Sequence, residues 1–454
     1  MAKKITLLLM DFIVLYISLL ITLLIRYGSR FDDNIWQMHF WPFFLIFMVW
    51  IVVFYIFNLY DLSFKKNLEL FSEIIKSIFI GGLIAAIFFY LASSNITNIK
   101  PQITLLIDIF VSVALIYFTR RLFQNIIKIP GLVFNTLIIG VNNHSIELAR
   151  SLASNKFFGY KLIGIYDNTS SSPKYLDEKI TVFNKESLNQ LLKGEHINTV
   201  INTIDLKDDS TTLNTLLNSL NLKIKFFNYP TFYERLYNKL PVAELEQTWF
   251  LENLSENKKP IFEFFKRLID VVVSFFILLC SLPFIPLIIL IIKIDSSGPI
   301  FFRQTRVGKN NKIFYVLKFR SMKTDAEISG PQWAQKNDPR VTGFGKIMRK
   351  ARLDEIPQLL NVLKNDMSLV GPRPERPEFV ESLQNQIPFY NERHLVKPGL
   401  TGWAQILGPA YGGSKDETLE KIKYDLFYIK NRSIFLDLGI ILKTINIVLK
   451  WQGR

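Results

Sequence analysis

Four apolar stretches fill the first quarter of the chain, at about 5–25, 40–60, 72–93 and 102–119, and each approaches the ~20 residues that a helix needs to cross a bilayer. No other feature narrows the fold as far. A backbone inside hydrocarbon must satisfy its own hydrogen bonds, and a helix does so within one segment. The first stretch is longer than the apolar part of a signal peptide and lacks a small-residue cleavage site, so it reads as a span. Lys3 and Lys4 precede it, Lys65 and Lys66 separate the second stretch from the third, and Arg120, Arg121 and Lys128 follow the fourth. The positive-inside rule then predicts a four-helix transmembrane bundle with both ends cytoplasmic. The loop with Arg26 and Arg30 also holds Asp32 and Asp33 and fits that rule less cleanly. Asp11, Glu73, Lys76 and Asp108 lie within or near the spans, most of them near the ends, where snorkelling is the cheaper explanation than transport.

Composition bears on the partners. The net charge is +15, which fits nucleic acid, anionic lipid or phosphorylated substrates. Without zinc-finger spacing or a basic tail, no nucleic acid is expected. The single cysteine, Cys280, sits in an apolar run, has no intrachain disulfide partner and reads as a small buried hydrophobe. His39, His144, His196 and His394 are scattered without metal-ligand spacing. Nucleophilic or acid–base chemistry therefore falls mainly to carboxylates.

From about 133 the pattern becomes strands alternating with helices. Strands are predicted at Asn135–Gly140, Lys161–Tyr166, Asn198–Ile204 and Lys223–Phe227, and helices near 145–155, 186–194 and 209–220. This rhythm predicts a small parallel, Rossmann-like α/β domain. Its first strand ends at Gly140, but the other glycines of a dinucleotide-binding turn are absent. Asp167 could mimic a ribose-binding acid; without the glycines a structural or regulatory domain is favoured over NAD binding.

Residues 269–294 are apolar and long enough to cross, yet Pro283 and Pro286 interrupt them. Both flanks are basic: Lys258, Lys259, Lys266 and Arg267 before, Lys293, Arg303, Arg306 and Lys309 after. Positive flanks on both sides predict a re-entrant helix that dips into the inner leaflet and returns, rather than a fifth span.

The chemistry concentrates after this dip. Asp354 and Glu355 are adjacent, with Arg349 upstream and Arg373 between two prolines downstream. Ile356, Leu359, Leu360 and Leu363 fall on one helical face, and Pro357 is tolerated only in a first turn, so a helix is predicted to begin near Asp354. That puts both carboxylates at a helix N-terminus, a setting that suits anions, with an acidic cap as the plain alternative. A strand is predicted at Ile313–Arg320. A last helix at about 434–450, with Lys443, Asn446 and Lys450 on one side, looks like one lying in the membrane interface. Cations around an acidic pair beside a membrane element describe a polyanion site at headgroup level.

The motifs FRQTRVG, KFRSM, RLDEIPQLLNVLKNDMSLVGPRP and VKPGLTGWAQ, with the proline-broken apolar run, closely resemble the sugar transferase domain of bacterial polyprenyl-phosphate hexose-1-phosphate transferases, the monotopic phosphoglycosyl transferases. The resemblance to the long members of that family extends over the whole chain. It implies a bundle at 1–130, a degenerate α/β domain at 131–240, a linker at 241–263, and a re-entrant helix with a cytoplasmic α/β catalytic domain and interfacial amphipathic helices at 264–454. Leu282 departs from the serine usual before the re-entrant proline, and Lys397 stands where some members carry arginine.

The resemblance further implies transfer of hexose-1-phosphate from a UDP-hexose to undecaprenyl phosphate with release of UMP, in the inner membrane, as the first step of O-antigen, capsule or exopolysaccharide synthesis. Asp354 is then the nucleophile and Glu355 a Mg²⁺ ligand. Arg349, Arg373 and Lys318 contact phosphates, Gln304 and Asp425 are further substrate-site candidates, and Pro283 and Pro286 set the re-entry. A homodimer is plausible. The competing readings are a non-enzymatic scaffold for polysaccharide assembly and an NAD-dependent nucleotide-sugar enzyme.

Overall fold

A computed structural model of the protein describes residues 2–61, 67–92, 102–126, 133–154, 159–168, 180–184, 188–194, 196–254, 260–328, 330, 332–333, 338–409 and 414–451. Lys65, Lys66, Lys128, Lys258 and Lys259 lie outside them. The chain divides by its internal packing into two units, Met1–Phe232 and Tyr233–Arg454.

The first unit opens with α1 (Ala2–Tyr27), α2 (Asp33–Ile56), α3 (Asn67–Ala92) and α4 (Gln102–Ile126). All four are long and apolar enough to cross a membrane. They share a core built on Leu15, Leu19, Phe43, Phe47, Trp50, Ile74 and Ile116. Snorkelling does not explain two of the span charges. Asp11 and Asp108 are both fully buried. Arg120 Nη2 meets Asp11 Oδ2 at 2.6 Å, and Ser18 Oγ donates to Asp108 Oδ1 at 2.7 Å. A carboxylate in an apolar interior persists where a partner on a neighbouring helix compensates its desolvation, and here α1 and α4 supply those partners.

The same unit continues with β1 (Phe134–Ile139), α5 (Asn143–Ala153), β2 (Tyr160–Tyr166), β3 (Val182–Phe183), α6 (Leu188–Gly194), β4 (Thr199–Asn202), α7 (Ser210–Asn218) and β5 (Lys225–Asn228). The strands form one parallel sheet in the order β3-β2-β1-β4-β5. The short β3 was not predicted: two residues are too few for alternation to register. Gly140 holds φ +91°, and a side chain there would collide with Ile204. The turn that follows does not leave its backbone donors free. Asn142 Oδ1 accepts from Ser145 N, and Ser145 Oγ accepts from Asn142 N, both at 2.8 Å. At the N-terminus of α5, where a pyrophosphate would sit in a dinucleotide fold, a capping box takes up two of the backbone donors.

After α8 (Tyr229–Tyr237) comes α9 (Gln247–Leu254), which lies within the 241–263 stretch; its Phe250 is buried and stacks on Phe389. Next are α10 (Pro260–Ser281) and α11 (Ile285–Asp295), separated by a 3₁₀ turn at Leu282–Phe284 that contains Pro283. Pro286 sits in the first turn of α11, where its missing N–H costs nothing. Cys280 is exposed here, not buried, among outward-facing Phe275, Phe276, Leu279 and Phe284. In an apolar run that faces outward, hydrophobicity does not predict burial in protein.

The remainder comprises the antiparallel pair β6 (Phe301–Val307) and β7 (Ile313–Phe319), then α12 (Gly343–Ala351), α13 (Gln358–Leu363), β8 (Ser368–Val370), α14 (Pro377–Gln384), β9 (Gly399–Thr401), α15 (Trp403–Leu407), α16 (Lys415–Asn431) and α17 (Ile434–Leu449). Strands β8 and β9 pair in parallel. Helix α17 turns its polar side inward: Asp437, Lys443 and Asn446 are buried, while Phe435, Leu438, Ile445 and Leu449 face out. This inverts the expected interfacial helix, whose polar stripe would face water. The polar groups here have packed against protein, which leaves an apolar outer face.

Candidate active site

Arg352 takes a left-handed conformation (φ +54°) that ends α12. Leu353, Asp354 and Glu355 then form a single 3₁₀ turn, and α13 starts only at Gln358, after Pro357. The acidic pair thus lies in the connector between two helices, not in the first turn of one. The predicted apolar face is also displaced. Leu360 is exposed, whereas Gln358, Leu359, Asn361 and Val362 are buried. Asn361 decides this. Its Oδ1 accepts from Leu317 N at 3.1 Å and its Nδ2 donates to Tyr315 O at 2.8 Å, which fastens the helix to β7.

Both carboxylates are buried, Asp354 at 7% and Glu355 at 6% exposure. Their environments differ sharply. Arg373 Nη2 donates to Glu355 Oε1 at 2.9 Å, Arg352 Nη1 to Oε2 at 3.1 Å, and Lys318 Nζ stands 3.7 Å from Oε1. Burial opposes ionisation of Glu355, but Arg373, Lys318 and Arg352 outweigh it and hold the group far below the usual carboxylate range. Among the described residues no side chain donates a hydrogen bond to Asp354. Burial first, and the Glu355 charge second, push Asp354 up to about 6, against the pull of Lys318, Arg349 and Arg373. Burial likewise lowers Lys318 to about 8. Four cations therefore surround two carboxylates, while Asp338 also acts on Arg349 and Glu375 on Arg373.

Arg349 reaches the site from the last turn of α12, steadied by its Nε donating to Ser321 Oγ at 3.0 Å. Arg373 sits on a strap whose carbonyls are held one after another. Gly399 N donates to Pro372 O at 2.8 Å, Arg393 Nη2 to Arg373 O at 2.9 Å, Arg306 Nη1 to Pro374 O at 3.0 Å, and Val307 N to Glu375 O at 3.0 Å. An arginine on so constrained a backbone has little conformational freedom left to lose when it grips an anion.

Sequence reasoning grouped Asp354, Glu355, Arg349, Arg373 and Lys318, and the structure brings these five together. Asp425 and Gln304 stand apart from the pair. Asp425 is 2% exposed and accepts from Arg393 Nη2 at 2.9 Å, so it reaches the site only through the Arg373 carbonyl. Gln304 Oε1 accepts from Arg306 Nη2 at 2.6 Å, and its Nε2 donates to Glu327 Oε1 at 3.1 Å. Arg352, Arg393 and Ser321 were missed as site residues. Only Arg352 carried a local signal, its i,i+3 spacing to Glu355.

Among the described residues no group of three or more His, Cys, Asp or Glu side chains could hold a metal ion. Mg²⁺ asks for less, one or two carboxylates plus phosphate oxygens and water. Glu355, kept ionised, meets that demand once a phosphate shares the site, in exchange for one of its three cation partners.

The chain matches the family model described as bacterial sugar transferase over residues 261–451. It is 45% identical over 209 residues to the UDP-N-acetylgalactosamine-undecaprenyl-phosphate N-acetylgalactosaminephosphotransferase of Aeromonas hydrophila, covering 45% of this chain and 49% of that one. An exopolysaccharide production protein of Rhizobium leguminosarum is 43% identical over 187 residues, 40% of this chain and 92% of its own. A UDP-glucose:undecaprenyl-phosphate glucose-1-phosphate transferase of Xanthomonas campestris is 31% identical over 340 residues, 71% of this chain and 68% of its own. The chain thus spans about half the length of the Aeromonas relative and about two thirds of the Xanthomonas one.

Proposed function

The chain belongs to the polyprenyl-phosphate hexose-1-phosphate transferases, the bacterial sugar transferase family, and on that premise we propose that it moves a hexose-1-phosphate from a UDP-sugar to undecaprenyl phosphate and releases UMP. The observation that carries this reading is the opposite treatment of two adjacent buried carboxylates. Glu355 is engaged by three cations, while Asp354 receives no hydrogen bond from the described residues. Neighbouring groups whose environments separate their pKa values divide the labour of a reaction.

Asp354 is the nucleophile. One of its carboxylate oxygens forms a bond to the phosphorus that bears the sugar as the bond from that phosphorus to the UMP oxygen breaks, and UMP leaves with the electron pair. An oxygen of the polyprenyl phosphate then attacks the same phosphorus, and the aspartate leaves as a free carboxylate. Dividing one displacement between polyanions into two lowers each barrier. Arg349, Arg373 and Lys318 neutralise the phosphate oxygens as charge shifts toward the leaving group, with Arg373 able to bind two oxygens at once. Glu355 anchors Arg373 and Lys318 in place and is the residue that would hold Mg²⁺, which when bound lowers the charge of the leaving phosphate.

Helices α10 and α11 form the re-entrant element. Two features support this over a straight fifth span. A continuous helix over Pro260–Asp295 would extend ~50 Å. Yet residues near its start and near its end both engage the same C-terminal unit: Arg267 Nη1 donates to Val362 O at 2.7 Å, and Asp295 Oδ2 accepts from Phe344 N at 3.0 Å. Ile288 and Ile292 also pack on Phe319 and Met348, and the exposed apolar turn lies between. The catalytic unit then sits on the cytoplasmic face of the inner membrane.

The test is UMP release from a panel of UDP-sugars with undecaprenyl phosphate and Mg²⁺, wild type against Asp354→Asn. Release by the wild type alone, with a radiolabelled sugar-phosphate trapped only on the wild type, supports the covalent route. Equal turnover by the variant would sink the nucleophile assignment.

A further inference from the structure

We propose that Lys266 and Asp270, on the membrane-inserted helix α10, are positioning residues that act on the reaction through Arg373, an inference that rests on the transferase reading above. The two residues lie four apart, one helical turn, and both are buried, at 9% and 5% exposure. A buried ammonium and a buried carboxylate are costly unless fully partnered. Their partners lie at the foot of the strap that carries Arg373. Lys266 Nζ donates to Val370 O at 3.0 Å, to Tyr428 Oη at 3.2 Å and to Asp437 Oδ2 at 2.7 Å. Asp270 Oδ1 accepts from Leu369 N at 3.0 Å. Tyr428 Oη completes the network by donating to Asp437 Oδ1 at 2.8 Å.

Only two residues, Gly371 and Pro372, separate Val370 from Arg373, and they are stiff. Gly371 packs so closely on the Lys397 carbonyl that no side chain fits there, and its N–H donates to Thr401 O at 2.9 Å. Pro372 has its φ locked by its ring. A shift of α10 at Lys266 and Asp270 is therefore passed along the strap to the Arg373 guanidinium, which holds Glu355 beside Asp354. The adjacent Arg267 reinforces the clamp by donating to Val362 O at 2.7 Å and Leu363 O at 2.8 Å at the end of α13. The seating of the membrane helix and the geometry of the phosphate site are one mechanical unit.

The experiment uses the full chain in phospholipid nanodiscs and a double-mutant cycle between Asp270→Ala and Arg373→Ala, read by kcat for UMP release and by affinity for inorganic pyrophosphate. A displacement near 1 Å at a reacting group costs on the order of a hundredfold, so Asp270→Ala is expected to lower kcat by roughly 10- to 100-fold. Asp270→Asn keeps the acceptor oxygen for Leu369 N–H and restores most of the rate. The double variant is expected to be no slower than Arg373→Ala alone, because both changes act through one arginine. Multiplying effects, or a wild-type rate for Asp270→Ala, would overturn the proposal. If Asp270→Ala does not fold, Lys266→Met, which removes the ammonium from Val370 O, takes its place in the same cycle with the same outcomes. If the wild type releases no UMP from any UDP-sugar, the transferase reading falls. The pyrophosphate cycle then still decides the positioning claim, since coupled losses of affinity support it and independent losses end it.

Discussion

Two turns in this molecule could receive a phosphate, and they differ in whether their donors are already committed. In the middle domain, the turn after β1 has the parallel-sheet setting of a dinucleotide site, but Asn142 and Ser145 cap each other and commit two of its N–H groups. In the C-terminal unit, Lys318, Arg349, Arg352 and Arg373 gather around Asp354 and Glu355, so the cations of the cluster outnumber its carboxylates. Sheet topology is thus a poor guide to anion binding. What counts is whether donors remain unpaired in the folded state, since a satisfied donor must break one hydrogen bond to make another.

The strongest way to break this contrast is Asp354→Asn, which keeps size and removes the proposed nucleophile. UMP release is expected to fall by at least ~10³-fold with the fold retained, measured by turnover beside a thermal melt. Arg373→Ala is expected to cost roughly 10²-fold in kcat/KM. Arg373→Lys recovers only part of that, because an ammonium cannot make the bidentate contact. The pH profile of kcat/KM sharpens the contrast further. Asp354 must be deprotonated, so the rate rises with pH up to about 6. Lys318 must be protonated, so the rate falls above about 8. A flat profile from pH 5 to 9 would remove both groups from the rate-limiting step. The smallest effect belongs to the middle domain. Asn142→Ala is expected to lower stability by about 1 kcal/mol, read in denaturant unfolding, and to leave UMP release unchanged. NADH titration of the wild type is expected to give no saturable fluorescence change, and saturable binding would erase the difference between the two turns.

Some of this was readable in the chain and some was not. The four N-terminal helices, the α/β rhythm and the interruption at Pro283 follow from local patterning, although α2 begins and α4 ends seven residues outside the expected apolar stretches. The acidic pair and three of its cations were grouped by motif. The sequence is silent where a side chain's partner is remote. Asp425 has the composition of a site acid but is spent on Arg393. Gln304 bridges Arg306 and Glu327. Lys443 and Asn446 turn inward on α17, and Cys280 turns outward. The expected helix start at Asp354 gave way to a 3₁₀ turn because Asn361, through β7, sets which face of α13 is buried.

The division follows from the range of the forces. Apolar periodicity, proline breaks and adjacent charges act over a few residues, so the sequence by itself determined the spans, the strand rhythm and the acidic pair with its basic surroundings. Which carboxylate is paired with cations and which is raised in pKa depends on Lys318, Arg352 and Arg373 converging from three segments. Whether Arg373 is held depends on Lys266 and Asp270, more than a hundred residues upstream. Desolvation and ion pairing act through space, at distances that only the folded chain creates, and so the tertiary structure alone made Asp354 and Glu355 unlike.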